Sequence, residues 1–85
     1  MNYGLSVERT ALTRLLEELP SAQWRLFDLF STVADRPFSA PDLSLRRSGG
    51  AVIDVRVFGD TLIHYHVDHA VKTVIILDYE LVTAD

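Results

Sequence analysis

Three β-rich runs within residues 51–79 constrain the fold more than any other part of the sequence. Apolar residues recur at every second position in the first run, 51–58, and in the second, 62–67, as they do in half-buried strands. The third run, 71–78, is apolar at successive positions. Only short polar breaks separate the runs, and breaks of this length join neighbouring antiparallel strands. The sequence therefore predicts a three-stranded antiparallel meander.

The register of the first hairpin follows from the residues that each run has to bury. The odd-numbered positions are apolar in both runs: Ile53, Val55, Val57, Ile63, Tyr65 and Val67. A slip by one residue would exchange the two faces of a strand. We therefore predict a three-residue loop, Gly59-Asp60-Thr61, because this loop keeps both odd-numbered sets on the buried face, and three-residue hairpins are a common class.

Four polar side chains then share the exposed face of the hairpin. Arg56 lies opposite His64 and Asp54 lies opposite His66, and side chains directly opposite on one face are close enough to interact. This set suits RNA cleavage, because imidazole titrates near neutral pH and a guanidinium stabilises charge on a phosphate. We name these four the candidate catalytic residues. The alternative is a half-exposed strand whose polar residues carry no chemistry.

The histidines also allow a second interpretation, a zinc site. His64 and His66, together with Asp68 or His69, would supply imidazole and carboxylate ligands. His69 falls in the turn after the strand, where a histidine is usually solvated. We expect neither a metal ion nor another cofactor.

Arg46 and Arg47 stand next to a Ser-Gly-Gly segment and are candidate contacts to RNA phosphates. The alternative is a solvated pair of loop charges. The chain carries a net charge of −4. An acidic total argues against a surface that holds nucleic acid by charge alone, because phosphate neutralisation requires Lys and Arg.

The residues before the meander predict one strand and two helices. Residues 2–7 alternate apolar and polar side chains, which predicts a short strand at a sheet edge. Leucines at helical spacing predict a first helix over 7–19, and Pro20 suits the first turn of a second helix that ends near Ala34. Two helices joined at a Leu-Pro step form an αα-hairpin.

Some apolar residues of this half fall outside the helical stripes. Trp24 and Phe27 lie off the buried stripe of the second helix, and we interpret them either as rim packing or as a partner site. Residues 36–50 hold two prolines, three serines and a Gly-Gly pair, so we expect a loop there. We expect Phe38, Leu43 and Leu45 to pin this loop to the core.

The resulting order, β-α-α-β-β-β, is an α+β fold of two layers in which the helical hairpin covers one face of the sheet. The chain of 85 residues makes one small domain, residues 1–85. The parity of the last strand stays open because both of its faces are apolar. A partner, the loop over 36–50 or the C-terminal tail would have to cover its second side.

The composition excludes several classes of protein. The chain has no cysteine, so it forms no disulfide and no thiolate metal site. The N-terminus lacks the basic and apolar regions of a signal peptide, and no apolar run approaches the roughly 20 residues of a membrane span. We expect a cytoplasmic protein without membrane contact.

Six short strings occur in order along the chain, at 5–11, 15–20, 35–37, 45–50, 56–60 and 63–68. Among them, Leu-Glu-Glu-Leu-Pro stands at the helix junction and Arg-Val-Phe-Gly-Asp at the first hairpin. Together they resemble the RelE/ParE superfamily, the toxins of bacterial type II toxin–antitoxin systems. The resemblance implies the fold above and an antitoxin protein as partner. It also implies an endoribonuclease that cuts ribosome-bound mRNA, known as an mRNA interferase.

The sequence departs from that family at its usual functional positions. Leu62 stands where these toxins usually have an arginine, and residues 78–81 are acidic where the family is basic. Two functions therefore stay open. The first is the interferase. The second is a non-catalytic ParE-like or degenerate member that inhibits a topoisomerase, or binds an antitoxin or a second copy of itself.

Overall fold

The computed structural model describes residues 3–50 and 52–82. Within them, two helices and five strands follow the order β1-α1-α2-β2-β3-β4-β5. Their bounds are β1 Gly4–Val7, α1 Arg9–Leu16, α2 Pro20–Asp35, β2 Leu43–Arg46, β3 Val52–Phe58, β4 Thr61–Asp68 and β5 Thr73–Leu81. The predicted α+β fold is confirmed, with one strand more than expected. Neither helix of the described residues is long and apolar enough to cross a membrane.

The additional strand, β2, lies where the sequence predicts only a loop. It runs antiparallel to β3 along one edge of the sheet, and Leu43 pairs with Val55. The Asp42 carboxylate accepts a hydrogen bond of 2.7 Å from the backbone N–H of Val57. The prediction that Phe38, Leu43 and Leu45 pack into the core is wrong, because they are 77%, 52% and 46% exposed.

The five strands form one sheet in the order β1-β5-β4-β3-β2. Strand β1 lies at the edge, as predicted, and runs parallel to β5, while the other neighbours are antiparallel. Strand β5 is therefore enclosed between β1 and β4. On the face of β5 that packs against the helices, Val74 and Ile76 are completely buried. On the opposite face Ile75 and Leu77 are half-buried, so apolar side chains occur at successive positions of this strand.

Both helices pack on one face of the sheet, which we call the helix face; the opposite face is the open face. The core between helices and sheet consists of Ala11, Leu15, Leu26, Phe30, Val33, Ala34, Ile63, Tyr65, Val74, Ile76 and Tyr79. The stripe of α2 is the predicted one, with Leu26, Phe30 and Val33 buried. The other predicted members, Ala22 and Leu29, are half-buried.

The turn between β3 and β4 corrects the predicted hairpin. Phe58 pairs with Thr61, so the loop contains two residues, Gly59-Asp60, and the predicted three-residue loop is wrong. Gly59 has φ +63°. A glycine at the first position of a two-residue loop is typical of the type II′ turn, whose twist matches that of the flanking strands.

The shorter loop follows from how the two strands bury their odd-numbered residues. Ile63 and Tyr65 of β4 pack against the helices, whereas Ile53 and Val55 of β3 are buried on the open face. Neighbouring strands therefore bury their odd residues on opposite faces of the sheet. The assumption that both odd sets share a face is wrong, because Val55 pairs with His64 and not with Tyr65. On the open face Val55 is flanked by Leu43 of β2 and His64 of β4.

An irregularity in β5 decides which of its residues face the helices, a question that the sequence leaves open. Tyr65 pairs with Ile76 and His64 pairs with Asp78, so Leu77 is an extra residue in β5. Such a β-bulge places two residues of one strand opposite one residue of the other. It allows both Ile76 and Tyr79, three positions apart, to be buried in the core.

Candidate functional site

The four candidate catalytic residues divide between the two faces of the sheet. Arg56 and Asp54 pair with residues of β4 whose side chains lie against the helices. His64 and His66 alternate with those residues and therefore belong to the open face. The predicted pairs, Arg56 with His64 and Asp54 with His66, are wrong because the two-residue loop moves each of them by one position.

His64 occupies a nearly closed position opposite the bulge of β5. Its side chain is 15% exposed, and its Nε2 atom is buried without a hydrogen-bond partner among the described residues. The carboxylate oxygen Oε1 of Glu80 lies 3.6 Å from this nitrogen, too far for a hydrogen bond. Asp78, its partner in the strand register, is engaged elsewhere, because its carboxylate accepts a 2.5 Å hydrogen bond from Arg14. His64 therefore presents one unused ring nitrogen beside a carboxylate.

A cavity of about 270 Å³ adjoins His66. Its polar lining consists of Glu8, Arg47 and His66, and its apolar lining of Val52, Ile53, Ile75 and Leu77. Its volume is close to the lower end of the range for small-molecule sites, about 300 Å³. The cavity thus brings an imidazole, a guanidinium and a carboxylate to the rim of an apolar pocket.

The two arginines that the sequence singles out differ in their position relative to the cavity. Arg47 lies in its lining, whereas Arg46 pairs with Val52 at the end of β2 and is not part of that lining. Sequence reasoning missed Glu8, which precedes α1 and is distant from the meander in the chain. The backbone N–H of Glu8 donates a 2.9 Å hydrogen bond to the carbonyl of Ile76, and this bond holds it beside β5.

Beside this cavity and His64, the open face carries apolar residues of β2 and β3. Val55 is 1% exposed, and it lies between Leu43 of β2 and His64 of β4. Leu43 and its neighbour Leu45 remain about half exposed at the sheet edge. The open face therefore combines a polar cavity at one end with an apolar surface beside it.

Arg56 and Asp54 belong to a polar cluster on the helix face, at the β2–β3–β4 side of the sheet. The guanidinium carbon of Arg56 lies 5.4 Å from the ring centre of Phe58, and the Asp54 carboxylate accepts a 3.1 Å hydrogen bond from the hydroxyl of Ser44. Burial raises the pKa of Tyr65; the charge of Asp54 raises it further, while Arg56 lowers it. One guanidinium nitrogen of Arg56, Nη1, is buried without a hydrogen-bond partner in the described part of the chain.

The acidic segment at the end of β5, residues 78–81, is hydrogen-bonded to α1. Arg14 donates hydrogen bonds from Nη1 to the Asp78 carboxylate and, at 2.7 Å, to the Tyr79 carbonyl. The Tyr79 hydroxyl donates a 2.9 Å hydrogen bond to the Glu18 carboxylate. Burial and this bond raise the pKa of Tyr79 to about 12. Asp78 thus takes part in the helix–sheet contact, whereas Glu80, the other acidic residue of this segment, lies beside His64.

The third histidine lies apart from the other two. The Nδ1 atom of His69 is hydrogen-bonded to the Tyr3 hydroxyl at 2.8 Å, and its ring stacks on Phe38 with the ring centres 5.3 Å apart. Over residues 3–50 and 52–82, no group of three or more His, Cys, Asp or Glu side chains is placed to hold a metal ion. The alternative zinc set with Asp68 or His69 does not assemble.

No protein-family model matches the sequence, and no match was found among curated proteins. Solved structures do resemble the fold. The RelBE2 toxin–antitoxin complex of Mycobacterium tuberculosis aligns with a TM-score of 0.77 at 21% identity, over 95% of this chain and 99% of that chain. The archaeal RelE–RelB complex of Pyrococcus horikoshii gives a TM-score of 0.69 at 17% identity, over 95% and 96% of the two chains.

The isolated RelE toxin of E. coli also aligns, with a TM-score of 0.69 at 13% identity, over 98% of this chain and 87% of that chain. At such identities the likeness establishes the fold. The chain therefore has the fold of RelE toxins, which confirms the architecture that the resemblance in sequence implies.

Proposed function

We propose that this protein is the toxin component of a type II toxin–antitoxin system and that an antitoxin protein is its partner. The observation that carries the proposal is the alignment with the RelBE2 toxin–antitoxin complex over 95% of this chain and 99% of the other. A fold by itself does not define a function. The proposal therefore needs a site, and the open face offers one.

We propose that the open face cuts mRNA on the ribosome. In this mechanism His66, at the cavity, removes the proton from a ribose 2′-hydroxyl, and the oxygen attacks the adjacent phosphorus. Arg47, in the same cavity lining, stabilises the negative charge that develops on the phosphate. The bond to the 5′-oxygen breaks, and His64 donates a proton to that leaving oxygen from its other ring nitrogen, Nδ1, because Nε2 is buried. The two histidines are two residues apart on one strand face, about 7 Å along the strand.

A second candidate function is inhibition of a protein target, such as a topoisomerase, without catalysis. The observation that favours it is the apolar surface of Leu43 and Leu45, which are 52% and 46% exposed at the sheet edge. Among the described residues, the cavity lining holds one cation and one anion, Arg47 and Glu8, so its charge gives little attraction for phosphates. Apolar surface with few charges is typical of protein interfaces.

Expression in bacterial cells tests the two functions together. The protein is induced alone, growth is followed, and the 5′ ends of ribosome-bound mRNA are mapped before and after induction. The interferase predicts growth arrest with new mRNA ends, and both effects disappear in the double variant His64→Ala with His66→Ala. His69→Ala is the matched control, because it removes a histidine that is bonded to Tyr3 outside the cavity.

The two arginines give a second comparison in the same assay. Arg47→Ala is expected to lower cleavage at least about 100-fold, as removal of a charge-stabilising donor does in other enzymes. Arg46→Ala is expected to have a smaller effect. Growth arrest without new mRNA ends would favour the protein-target function. Normal growth on induction of a stably folded protein would overturn the toxin proposal.

A further inference from the structure

The outer side of the α1–α2 hairpin carries a cluster of exposed apolar side chains, which we call the hairpin patch. Its members are Leu12, Leu16, Leu19, Trp24 and Phe27, between 42% and 75% exposed. Their exposed area is on the order of 600 Å², the upper end of what the largest apolar patch of a monomer usually reaches. Neither the proposed mRNA cleavage nor the proposed contact at Leu43 and Leu45 uses this surface.

The hairpin patch contains a groove as well as a projecting side chain. The groove, with a volume of about 320 Å³, is lined by Leu15, Gln23, Trp24 and Phe27. The Gln23 amide donates hydrogen bonds of 3.3 Å and 3.0 Å to the carbonyls of Leu16 and Glu18. The polar group in the groove is therefore already engaged at the helix junction. Trp24 is 72% exposed at the edge of this groove.

We propose that the hairpin patch is the interface between two copies of this chain, with Trp24 of each copy seated in the groove of the other. A two-fold interface requires one surface that is complementary to itself. The hairpin patch meets this requirement because it carries both the projecting indole and the groove beside it. Large aromatic side chains seated in a pocket near the centre are also the usual energetic anchors of such interfaces.

The charges around the hairpin patch permit this contact although the whole chain is acidic. Arg9 precedes Leu12 by three residues and Asp28 follows Trp24 by four, so each lies on the same helix side as its apolar neighbour. Both are exposed. Charges of both signs therefore lie beside the patch, and a second copy does not meet a surface of a single sign there.

The area of the hairpin patch is also adequate for a dimer. A standard interface buries about 800 Å² on each partner, with an apolar centre and a polar rim. The patch supplies the centre, and the polar residues around it supply the rim. A chain of 85 residues buries a comparatively small share of its surface on folding, so covering these side chains also increases its stability.

Sedimentation velocity tests the proposal with the full chain made by cell-free synthesis. Wild-type protein is expected to dimerise at micromolar concentration. Trp24→Ala is expected to raise the dimer dissociation constant at least about 30-fold, as loss of an anchor residue does. Trp24→Phe keeps a ring in the groove and should give a smaller increase. Phe38→Ala is the matched control, because it removes an aromatic side chain that is 77% exposed outside the hairpin patch.

Circular dichroism of each variant establishes that the monomer is folded, which is expected because Trp24 is mostly exposed. A wild-type protein that stays monomeric at all concentrations would overturn the proposal and leave the patch to a different partner. A dimer that Trp24→Ala leaves intact would place the interface elsewhere and overturn it too. The toxin proposal does not depend on either result, since growth and mRNA ends are measured separately.

Discussion

Buried polar groups are hydrogen-bonded at the contact between α1 and β5, whereas one is left unpaired at His64 on the open face. At the first, the Tyr79 hydroxyl is bonded to Glu18, and the Arg14 guanidinium lies 4.6 Å from the ring centre of Tyr79. At the second, Nε2 of His64 is buried and has no hydrogen-bond partner in the described residues. Leaving a buried polar group unpaired costs about 1–3 kcal/mol. The comparison associates stability with the α1–β5 contact and the proposed function with the open face.

The largest expected effect comes from two adjacent isoleucines that point to opposite faces. Ile76 is completely buried under the helices, so Ile76→Ala should lower the free energy of unfolding by about 2–5 kcal/mol. Ile75 is half-buried on the open face, so Ile75→Ala should lower it by less than about 1.5 kcal/mol. Urea denaturation measures both. Equal losses would mean that the two faces contribute alike to stability.

A smaller loss is expected when the Tyr79 hydroxyl is removed. Tyr79→Phe breaks the hydrogen bond to the Glu18 carboxylate and leaves the ring in place. Hydrogen bonds to charged groups contribute about 1.5–3 kcal/mol, and the free energy of unfolding should fall by that order. Glu18→Gln, which keeps an acceptor without the charge, serves as the control and should lose less. An unchanged free energy of unfolding in Tyr79→Phe would show that this hydrogen bond does not stabilise the helix face.

Tyr79 also makes the free energy of unfolding depend on pH in the alkaline range. Its pKa is raised from 10.0 to about 12, so folding favours the protonated hydroxyl. The resulting stabilisation is complete below pH 10 and is lost as the pH rises toward 12. The free energy of unfolding should therefore fall more steeply over this range in the wild type than in Tyr79→Phe. Parallel curves for the two proteins would contradict the raised pKa.

The smallest change in stability is expected on the open face. His64→Leu replaces an imidazole with an unpaired nitrogen by an apolar side chain, and such a change is nearly neutral or stabilising. We expect the free energy of unfolding to stay the same or to rise by up to about 1 kcal/mol, while growth arrest in bacterial cells is lost. A large loss of stability would make His64 a structural residue and weaken the contrast between the faces.

The two-residue turn between β3 and β4 has a signal in the sequence, but the alternation of apolar residues in the two strands predicts a longer loop. Gly-Asp between two β-rich runs is a recognised signal for a two-residue loop. The demand that odd-numbered residues of both strands be buried together predicts a three-residue loop instead. That demand is not met, because Ile53 and Val55 are buried on the open face, whereas the odd-numbered residues of β4 are buried under the helices. The four candidate catalytic residues therefore lie on two different faces of the sheet.

Sequence by itself determined the order of all elements except β2, the helical hairpin at Pro20 and the core stripe of α2, because these depend on local spacing and on turn residues. Tertiary structure alone decided three features. Strand β2 forms because the edge of β3 offers it backbone partners. Leu77 forms a bulge that buries both Ile76 and Tyr79. Glu8 and Arg47 meet His66 because the sheet brings distant segments together. Each of these depends on contacts between residues far apart in the chain, which local periodicity does not encode.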